Sequence, residues 1–414
     1  MKDLGESNGG HQAERRGLSR RGLFGLAGGS ALALGGLALT ANAATQGQDE
    51  AAADTTLAAD PKGMLGANFN EEPSGMTNTV LDTLGTKWVR GFVAMPKLDS
   101  VAAAQQPAIQ SLLAFSAAGY RTVLSLKFPF ADKQIPQPGS TAMDVELARV
   151  DKVLAAVLGK VDILVIGNEP FIETRQQDRA ALLNPFYQAV AAHVIAKRAS
   201  SCGSGCRTTL YMGALNRLED AAWRTAATDV WLAYVKATPE IAGVDIHPHV
   251  AAIEHTAIYT DYVMTRMRAE QRFLATEFSL VRWWKEHWSD QVPAVYASRY
   301  GIPAGTLVWQ EVRDAAAAPV TQQRWSDLLM NSSWFSTRQN YLTNQVRQLR
   351  ATGRLAVATY GTLQQPAMVK DITADKMPWL LNSLYTNLVA QPSAGGAKAH
   401  HPTFFDEFKA LQSA

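Results

Sequence analysis

This sequence of 414 residues contains only two cysteines and has a formal net charge of only +2. Each of these features argues against a class of protein. Its 39 lysines and arginines nearly balance 37 aspartates and glutamates, and no basic run concentrates positive charge, which argues against a nucleic-acid binder. Charged residues make up only 18% of the chain, whereas hydrophobic residues make up 47%. The chain can therefore bury a sizeable core and does not have the composition of a disordered protein.

The two cysteines, Cys202 and Cys206, are separated by a Gly-Ser-Gly segment that allows a short loop to close. No second Cys/His pair lies nearby in the sequence, which disfavours a metal site there. A thioredoxin-like motif would have two intervening residues, and this segment has three. We therefore predict a disulfide between Cys202 and Cys206, which an exported protein would permit.

The N-terminal segment, residues 1–43, predicts export. Arg20 and Arg21 precede the apolar run Leu23–Leu39, which is followed by the cleavage-type segment Ala41–Ala43. This arrangement resembles a twin-arginine signal peptide, and an N-terminal membrane anchor is the alternative. Residues 44–61 predict a flexible linker, because they are rich in small and polar residues without an apolar period. We expect a secreted protein that does not stay inserted in a membrane once the signal has been cleaved.

Strand-like and helix-like stretches alternate over residues 62–414. The predicted strands are Met64–Phe69, Lys87–Val93, Thr122–Phe128, Ile163–Gly167, Thr208–Met212, Gly243–His247, Phe273–Thr276 and Leu355–Tyr360. Strands separated by crossovers of helical length form a parallel sheet covered on both faces. Eight repeats over this length favour a closed (β/α)₈ TIM barrel over an open doubly wound sheet. No Gly-x-Gly-x-x-Gly follows the first strand, so a dinucleotide-binding fold has no direct support.

Amphipathic stretches predict the helices between these strands. They are Val101–Ala118, Met143–Leu158, Arg179–Arg198, Ala221–Lys236 and Ile258–Ala269, with Trp379–Val389 as the last helix. The crossover between the seventh and eighth strands is far longer than its neighbours. It predicts an insertion at about 279–340 with helices of its own, belonging to the barrel and not forming an independent domain.

Two glutamates follow apolar strands in the predicted barrel. Glu169 comes directly after the fourth strand, and Glu277 follows the seventh. Barrel enzymes place their chemistry at the carboxyl ends of the strands, and these two strands lie across the barrel mouth from each other. Glycosidic cleavage needs such a pair, one carboxyl to protonate the leaving oxygen and one to attack the anomeric carbon or to activate water. A helix-capping acid and a buried ion-pair partner are the structural alternatives for Glu169 and Glu277.

The segment Asn168–Pro170 (Asn-Glu-Pro) and the lone Glu277 resemble the clan A glycoside hydrolases, which are retaining (β/α)₈ enzymes without a cofactor. The resemblance implies Glu169 as acid/base, Glu277 as nucleophile and Asn168 as a partner of the sugar 2-hydroxyl. In such an enzyme Glu169 needs a raised pKa, whereas Glu277 must stay ionised. The expected partner is a carbohydrate bound by a monomer.

Other strand ends extend the resemblance and also depart from it. Arg90 resembles the clan's arginine near the nucleophile, where it would keep the nucleophile's pKa low. Asn68 resembles the asparagine of the first-strand Gly-x-Asn segment found in some members. At the sixth strand, His247 matches the first residue of a His-x-Tyr motif whose tyrosine bonds the nucleophile. This sequence has His249 in the tyrosine's place, so the resemblance does not assign a partner to Glu277.

A second departure concerns the aromatic side chain under the sugar. Clan members often carry a tryptophan on the eighth strand, and this sequence has Tyr360 there. Trp283, Trp284 and Trp288, in the insertion just after Glu277, are further candidates because aromatic faces stack on sugar rings. Packing inside the insertion is the alternative for each of these tryptophans.

Three other functions remain open at this point. His247 and His249 are two apart on a strand and therefore point the same way, as in metal-dependent barrel hydrolases, but further ligands are hard to find and we expect no metal. A glycan-binding barrel without catalysis is the second alternative. A transglycosylase is the third, and it would use the same residues as a hydrolase.

Overall fold

The computed structural model describes residues 63–203 and 205–413. The predicted export signal and linker lie outside these residues. None of the helices in the described part is long and apolar enough to cross a membrane.

Eight parallel strands close into a barrel in which each strand pairs with the next one in sequence and the last pairs with the first. The strands are β1 Met64–Asn68, β2 Trp88–Ala94, β3 Arg121–Lys127, β4 Ile163–Ile166, β5 Thr209–Asn216, β6 Ile241–His247, β7 Arg272–Ala275 and β8 Leu355–Gly361. The predicted (β/α)₈ barrel is confirmed, and all eight predicted strands are found at their predicted places. Parallel strands buried on both faces read as short, nearly continuous apolar runs, which is why they could be recognised.

Alternate strand positions build two layers of the core. One set faces the helices, and a smaller cluster fills the barrel interior between the strands. That smaller cluster consists of Trp88, Val123, Ile163, Val165, Tyr211, Leu274 and Val357. The filled interior makes the barrel a rigid frame, so the polar side chains that follow the strands are held at fixed positions.

Fourteen α-helices lie in the described part of the chain. They are α1 Asn78–Leu84, α2 Pro107–Ala117, α3 Thr141–Val157, α4 Leu183–Cys202, α5 Ala226–Ala237, α6 His255–Met264, α7 Val281–Glu286, α8 Ala294–Tyr300, α9 Val308–Ala317, α10 Gln322–Asn331, α11 Ser333–Ser336, α12 Tyr341–Ala351, α13 Pro366–Val369 and α14 Phe404–Ala410. Local signals set several ends. The Ser140 hydroxyl accepts from the Met143 backbone N–H at the start of α3, and Gly85 in the left-handed region ends α1.

The long crossover between β7 and β8 contains α7 to α12, which confirms the predicted insertion with helices of its own. Trp284 is 1% exposed and packs against Trp334 and Phe335, with ring centroids 5.7 and 5.8 Å apart. Trp288 and Trp325 are buried as well. These aromatic residues of the insertion therefore belong to the hydrophobic core that surrounds the barrel.

The predicted last helix, Trp379–Val389, is wrong. Only a 3₁₀ turn over Trp379–Asn382 forms there, and the chain then runs beside the end of β8. The backbone N–H groups of Leu384 and Tyr385 donate to the carbonyls of Gly361 and Thr362, both at 2.9 Å. These long-range hydrogen bonds satisfy the backbone groups that a helix would have paired internally. The last helix is α14, further along the chain.

Cys202 and Cys206 form the predicted disulfide, with their Cα atoms 5.0 Å apart. It joins the end of α4 to the loop that leads into β5. This loop lies at the amino end of β5, whereas Glu169 and Glu277 follow the carboxyl ends of their strands. The disulfide therefore belongs to the frame of the barrel.

Candidate active site

Glu169 is placed by an unusual backbone at the end of β4. Gly167 has φ +110°, and a Cβ on it would lie 2.2 Å from the carbonyl oxygen of Gly213, so only glycine allows β5 to approach β4 this closely. Glu169 itself has φ +49°, which is rare for a residue with a side chain. Strain of this kind occurs mainly where a side chain is held for a function.

Arg90 on β2 organises the centre of the barrel mouth. Its side chain is fully buried, and its Nη1 donates to Glu277 Oε1 at 2.5 Å. Its Nη2 donates to Asn168 Oδ1 at 2.6 Å, and Ser125 Oγ accepts from both Nε and Nη2. Burial raises the pKa of Glu277, but the positive charges of His247 and Arg90 outweigh it and hold that pKa well below its ordinary value. Glu277 is therefore ionised.

Asn168 has its orientation fixed by this arginine. Because Asn168 Oδ1 accepts from Arg90, the amide nitrogen is left to donate toward the cleft. Asn68 plays a different part from the one predicted. Its Oδ1 accepts from the Asn70 backbone N–H and its Nδ2 donates to Asn70 Oδ1, so both ends of its amide are used inside the protein. Asn70, which the sequence analysis did not select, lines the cleft instead.

His247 connects Glu169 to a buried chain of hydrogen bonds. Thr276 Oγ1 donates to Asp245 Oδ2, so this hydroxyl oxygen accepts from His247 Nε2 at 2.9 Å. The other ring nitrogen, Nδ1, lies 3.2 Å from Glu169 Oε1. Burial lowers the pKa of His247, but the charge of Glu277 and the hydrogen bond with Glu169 raise it above its ordinary value. His247 and Glu169 therefore share one proton, which resides mainly on the imidazole.

The expectation of a raised pKa for Glu169 is not met in this state of the protein. Burial does raise the pKa of Glu169, but the hydrogen bond from His247 and the positive charge of that ring lower it below its ordinary value. The sequence predicts Glu169 as a single acid. The structure holds a glutamate–histidine pair, and the proton belongs to the pair.

His249 lies next to Glu277. Its Nε2 lies 3.6 Å from Glu277 Oε2, and its Nδ1 lies 2.8 Å from Ser279 Oγ. Among the described residues its Nε2 has no hydrogen-bond partner. His249 is therefore the group beside Glu277 where the resembled family has a tyrosine.

Within the described part of the chain, Glu169, His247 and His249 form the group that could hold a metal ion, with one ligand atom from each lying within 4.8 Å of the others. The hydrogen bonds argue against this use of His247. Both of its nitrogens are engaged, one by Glu169 and one by Thr276, so it could bind a metal only by giving up one of them. The remaining pair of Glu169 and His249 is too small a ligand set for a catalytic zinc, which takes three protein ligands.

Two cavities meet at the candidate catalytic residues. The first, of about 570 Å³, is lined by Asn168 and Glu277, and the second, of about 730 Å³, by His247 and other residues that follow β5 and β6. Glu169, His249 and Trp379 line both cavities. The site is therefore one cleft that passes on either side of the pair of glutamates.

Trp379 is an exposed aromatic side chain that lines both cavities of this cleft. It is 37% exposed, and its ring centroid lies 4.9 Å from that of His249. The predictions for the other aromatics do not hold. Tyr360 is fully buried against Phe278, and Trp284 is buried against Trp334. Trp283 lines neither cavity, because its indole nitrogen donates to the Trp334 carbonyl and its ring packs on His287.

Further cleft residues were missed by the sequence analysis. The first cavity is lined by Asn70, Phe92, Lys97 and Lys127, and the second by Asn216 and Arg217. Asn216 and Arg217 were missed because the fifth strand was predicted to end at Met212, whereas β5 continues to Asn216. Trp379 was missed because the sequence gives no signal for the path of the chain after β8.

No protein-family model matches the sequence, and no curated protein does either. Among solved structures, the chain is similar to a psychrophilic glycoside hydrolase family 10 endo-β-1,4-xylanase, with 10% identity over 84% of this chain and 96% of that chain, at a TM-score of 0.45. It is also similar to the GH53 catalytic domain of Ignisphaera aggregans, with 11% identity over 85% and 96% of the two chains, at a TM-score of 0.45. A glucosidase from Croceicoccus marinus gives 9% identity over 84% of this chain and 67% of that chain, at a TM-score of 0.45.

These solved structures are glycoside hydrolases, the class that the motifs around Glu169 and Glu277 resemble. At such low identities and TM-scores the likeness carries no argument about activity. The chemistry assigned to this chain therefore depends on the geometry of its own residues.

Arg90→Met is expected to move the acidic limb of the kcat/KM–pH profile to higher pH. Arg90 lowers the pKa of Glu277, so removing the guanidinium raises the pH at which Glu277 becomes protonated. A reaction that needs the Glu277 carboxylate then loses rate at that higher pH. Leaving Glu277 with less compensation for its burial should also lower the free energy of unfolding, by about 3–5 kcal/mol. Arg90→Lys, which keeps the charge, should shift the limb less. An unmoved limb in Arg90→Met would contradict the role assigned to Arg90.

Proposed function

We propose that this protein is an exported retaining glycoside hydrolase that cleaves a glycosidic bond in a poly- or oligosaccharide. One observation carries the proposal. Two glutamates from strands across the barrel share one cleft, and their surroundings differ. Glu277 is kept ionised by Arg90, whereas Glu169 is paired with a proton-bearing His247. Two carboxyls with separate tasks are what glycosidic cleavage requires.

In the first step, a Glu277 oxygen attacks the anomeric carbon and forms a covalent bond to it as the bond to the leaving oxygen breaks. The leaving oxygen takes a proton from Glu169. In the second step, Glu169 removes a proton from water, the water oxygen bonds to the anomeric carbon, and Glu277 is released as a carboxylate. The amide nitrogen of Asn168 is directed at the cleft and donates to the sugar beside Glu277.

The proton for the first step comes from the His247–Glu169 pair. When Glu169 gives its proton to the leaving oxygen, His247 supplies the pair's proton and becomes neutral. Bond formation at Glu277 also removes the negative charge that contributes to the raised pKa of His247. The loss of that charge favours release of the proton during the step that needs it.

Trp379 provides the apolar surface for the sugar ring. It is the exposed aromatic side chain that lines both parts of the cleft next to Glu169 and His249. Stacking of the apolar face of a sugar on an indole excludes water from the reacting bond. Trp379, in the loop after β8, thus takes the place of the tryptophan that the resembled family carries on the eighth strand itself.

The proposal is tested by the stereochemistry of the product. Hydrolysis of a panel of nitrophenyl glycosides is followed by proton NMR, which shows the configuration of the sugar when it is first released. Double displacement predicts retention of configuration. Net inversion would overturn the mechanism, and tight binding of an oligosaccharide without any turnover would favour a glycan-binding barrel. Sugar transfer to added acceptor in excess of hydrolysis would indicate a transglycosylase.

A further inference from the structure

The second cavity contains a buried amide without a partner. Asn216, the last residue of β5, pairs in register with His247 on β6. It is 4% exposed, yet neither its amide oxygen nor its amide nitrogen has a hydrogen-bond partner among the described residues. Leaving such a group unsatisfied costs about 1–3 kcal/mol, so an amide that lines a cleft in this state is suited to a ligand that supplies the partners.

Arg217 follows directly and has no counter-ion among the described residues. Its φ of +57° turns the chain sharply after β5, and its guanidinium carbon lies 4.8 Å from the ring centroid of Trp223. Within the described chain its buried Nε has no hydrogen-bond partner, and no ion pair involves this arginine. Arg179 lies over the same ring at 4.7 Å, and burial together with the charge of Arg217 lowers the pKa of Arg179. Two guanidinium groups therefore repel each other at one side of the cleft.

Other charges of this cavity do not neutralise Arg217. Glu219 Oε1 lies 3.4 Å from Arg282 Nε, so this acid already has a cationic partner. Asp220 and Glu286 are exposed at the rim, where water screens them. Arg217 therefore remains as an inner cation of the cavity without a carboxylate partner, a site prepared for an anion.

If the proposed function holds, the two cavities bind different parts of the substrate. Glu277 and Asn168 line only the first cavity, so the sugar that becomes bonded to Glu277 occupies that side. Glu169 lines both, and the oxygen that it protonates belongs to the leaving group. The leaving group therefore extends into the second cavity, toward Asn216 and Arg217.

We propose that the second cavity is a leaving-group subsite for an acidic sugar, in which Arg217 binds the carboxylate of a uronic acid and Asn216 binds a hydroxyl of the same residue. This inference rests on the proposed function and adds a substrate class to it. Guanidinium and carboxylate match in a planar, two-bond geometry, and the indole under Arg217 holds the guanidinium in place.

The test compares two leaving groups on one sugar. A para-nitrophenyl glycoside and its carboxy-substituted counterpart, with phenols of matched acidity, place a neutral and an anionic group in the second cavity. In the wild-type protein we expect kcat/KM to be about tenfold higher for the anionic substrate, the effect of one partly exposed charge-assisted contact. Hydrolysis of the neutral substrate tests the proposed function, and the ratio of the two values tests the inference.

Arg217→Met keeps a chain that can pack on Trp223 and should bring this ratio close to one, whereas Arg217→Lys should retain part of it. Lys97→Gln is the matched control, because Lys97 is a cation of the first cavity and should leave the ratio at the wild-type value. A wild-type ratio near one, or a preference that survives in Arg217→Met, overturns the inference.

A binding measurement tests the acidic subsite without requiring turnover. Calorimetry on the intact protein compares glucuronate, glucose 6-sulfate and glucose. Tighter binding of glucuronate than of glucose, lost in Arg217→Met, supports the acidic subsite even if no aryl glycoside is hydrolysed. Equal binding of the sulfate indicates that charge alone is recognised and extends the subsite to sulfated sugars. Equal binding of glucuronate and glucose overturns it.

Discussion

Glu277→Gln is expected to lower kcat on glycoside substrates by on the order of 10⁴-fold or more, because the amide cannot form the covalent bond to the anomeric carbon. The replacement has nearly the same shape and keeps an oxygen that can accept from Arg90. Structural damage should therefore be small. Loss of turnover is measured with a nitrophenyl glycoside, and folding is checked by the unfolding transition.

Glu72→Gln is the matched control for this variant. Glu72 lines the first cavity and accepts hydrogen bonds from Ser74, without contact to Arg90. Its replacement should leave turnover close to the wild-type rate. A Glu277→Gln protein that is folded and retains a substantial part of wild-type turnover would contradict the assignment of Glu277 as nucleophile and leave the role of attacking group to another residue or to water.

The barrel and the pair of glutamates could be predicted from the sequence for a physical reason. Parallel strands buried on both faces leave a clear local pattern, and a closed barrel fixes where each strand ends in space. A residue that follows β4 and one that follows β7 must therefore reach the same mouth. Arg90 was found in the same way, because its position depends only on β2.

The remaining features depend on contacts between distant parts of the chain. Trp379 reaches the cleft because the segment after β8 pairs with the end of that strand, which local periodicity does not report. The pKa of Glu169 is set by His247, two strands away around the barrel. Tyr360 lies on β8 as predicted, but its ring faces the helices and packs against Phe404. This contact is also one between distant parts of the chain, so it could not be predicted from the local sequence.

Glu169→Ala should lose activity in a way that depends on the leaving group. With a leaving group of ordinary basicity, the first step loses its proton donor and kcat/KM should fall by about 10²–10⁴-fold. With an activated aryl glycoside the leaving phenolate needs no proton, so the first step should be much less affected. The second step still lacks its base, and the covalent sugar–enzyme intermediate should accumulate.

The response to azide then distinguishes a catalytic role of Glu169 from a purely structural one. A small anion that fits the space left by the carboxylate can attack the anomeric carbon without a base. We therefore expect azide to accelerate turnover of the activated substrate by Glu169→Ala and to yield a glycosyl azide of retained configuration. Glu173→Ala is the control, since Glu173 lies in the same loop but pairs with Lys127 at 2.7 Å, and azide should not accelerate it. If folded Glu169→Ala shows no response to azide, Glu169 is not the acid/base. His247 then also loses the role in proton transfer that was assigned to it through its contact with Glu169.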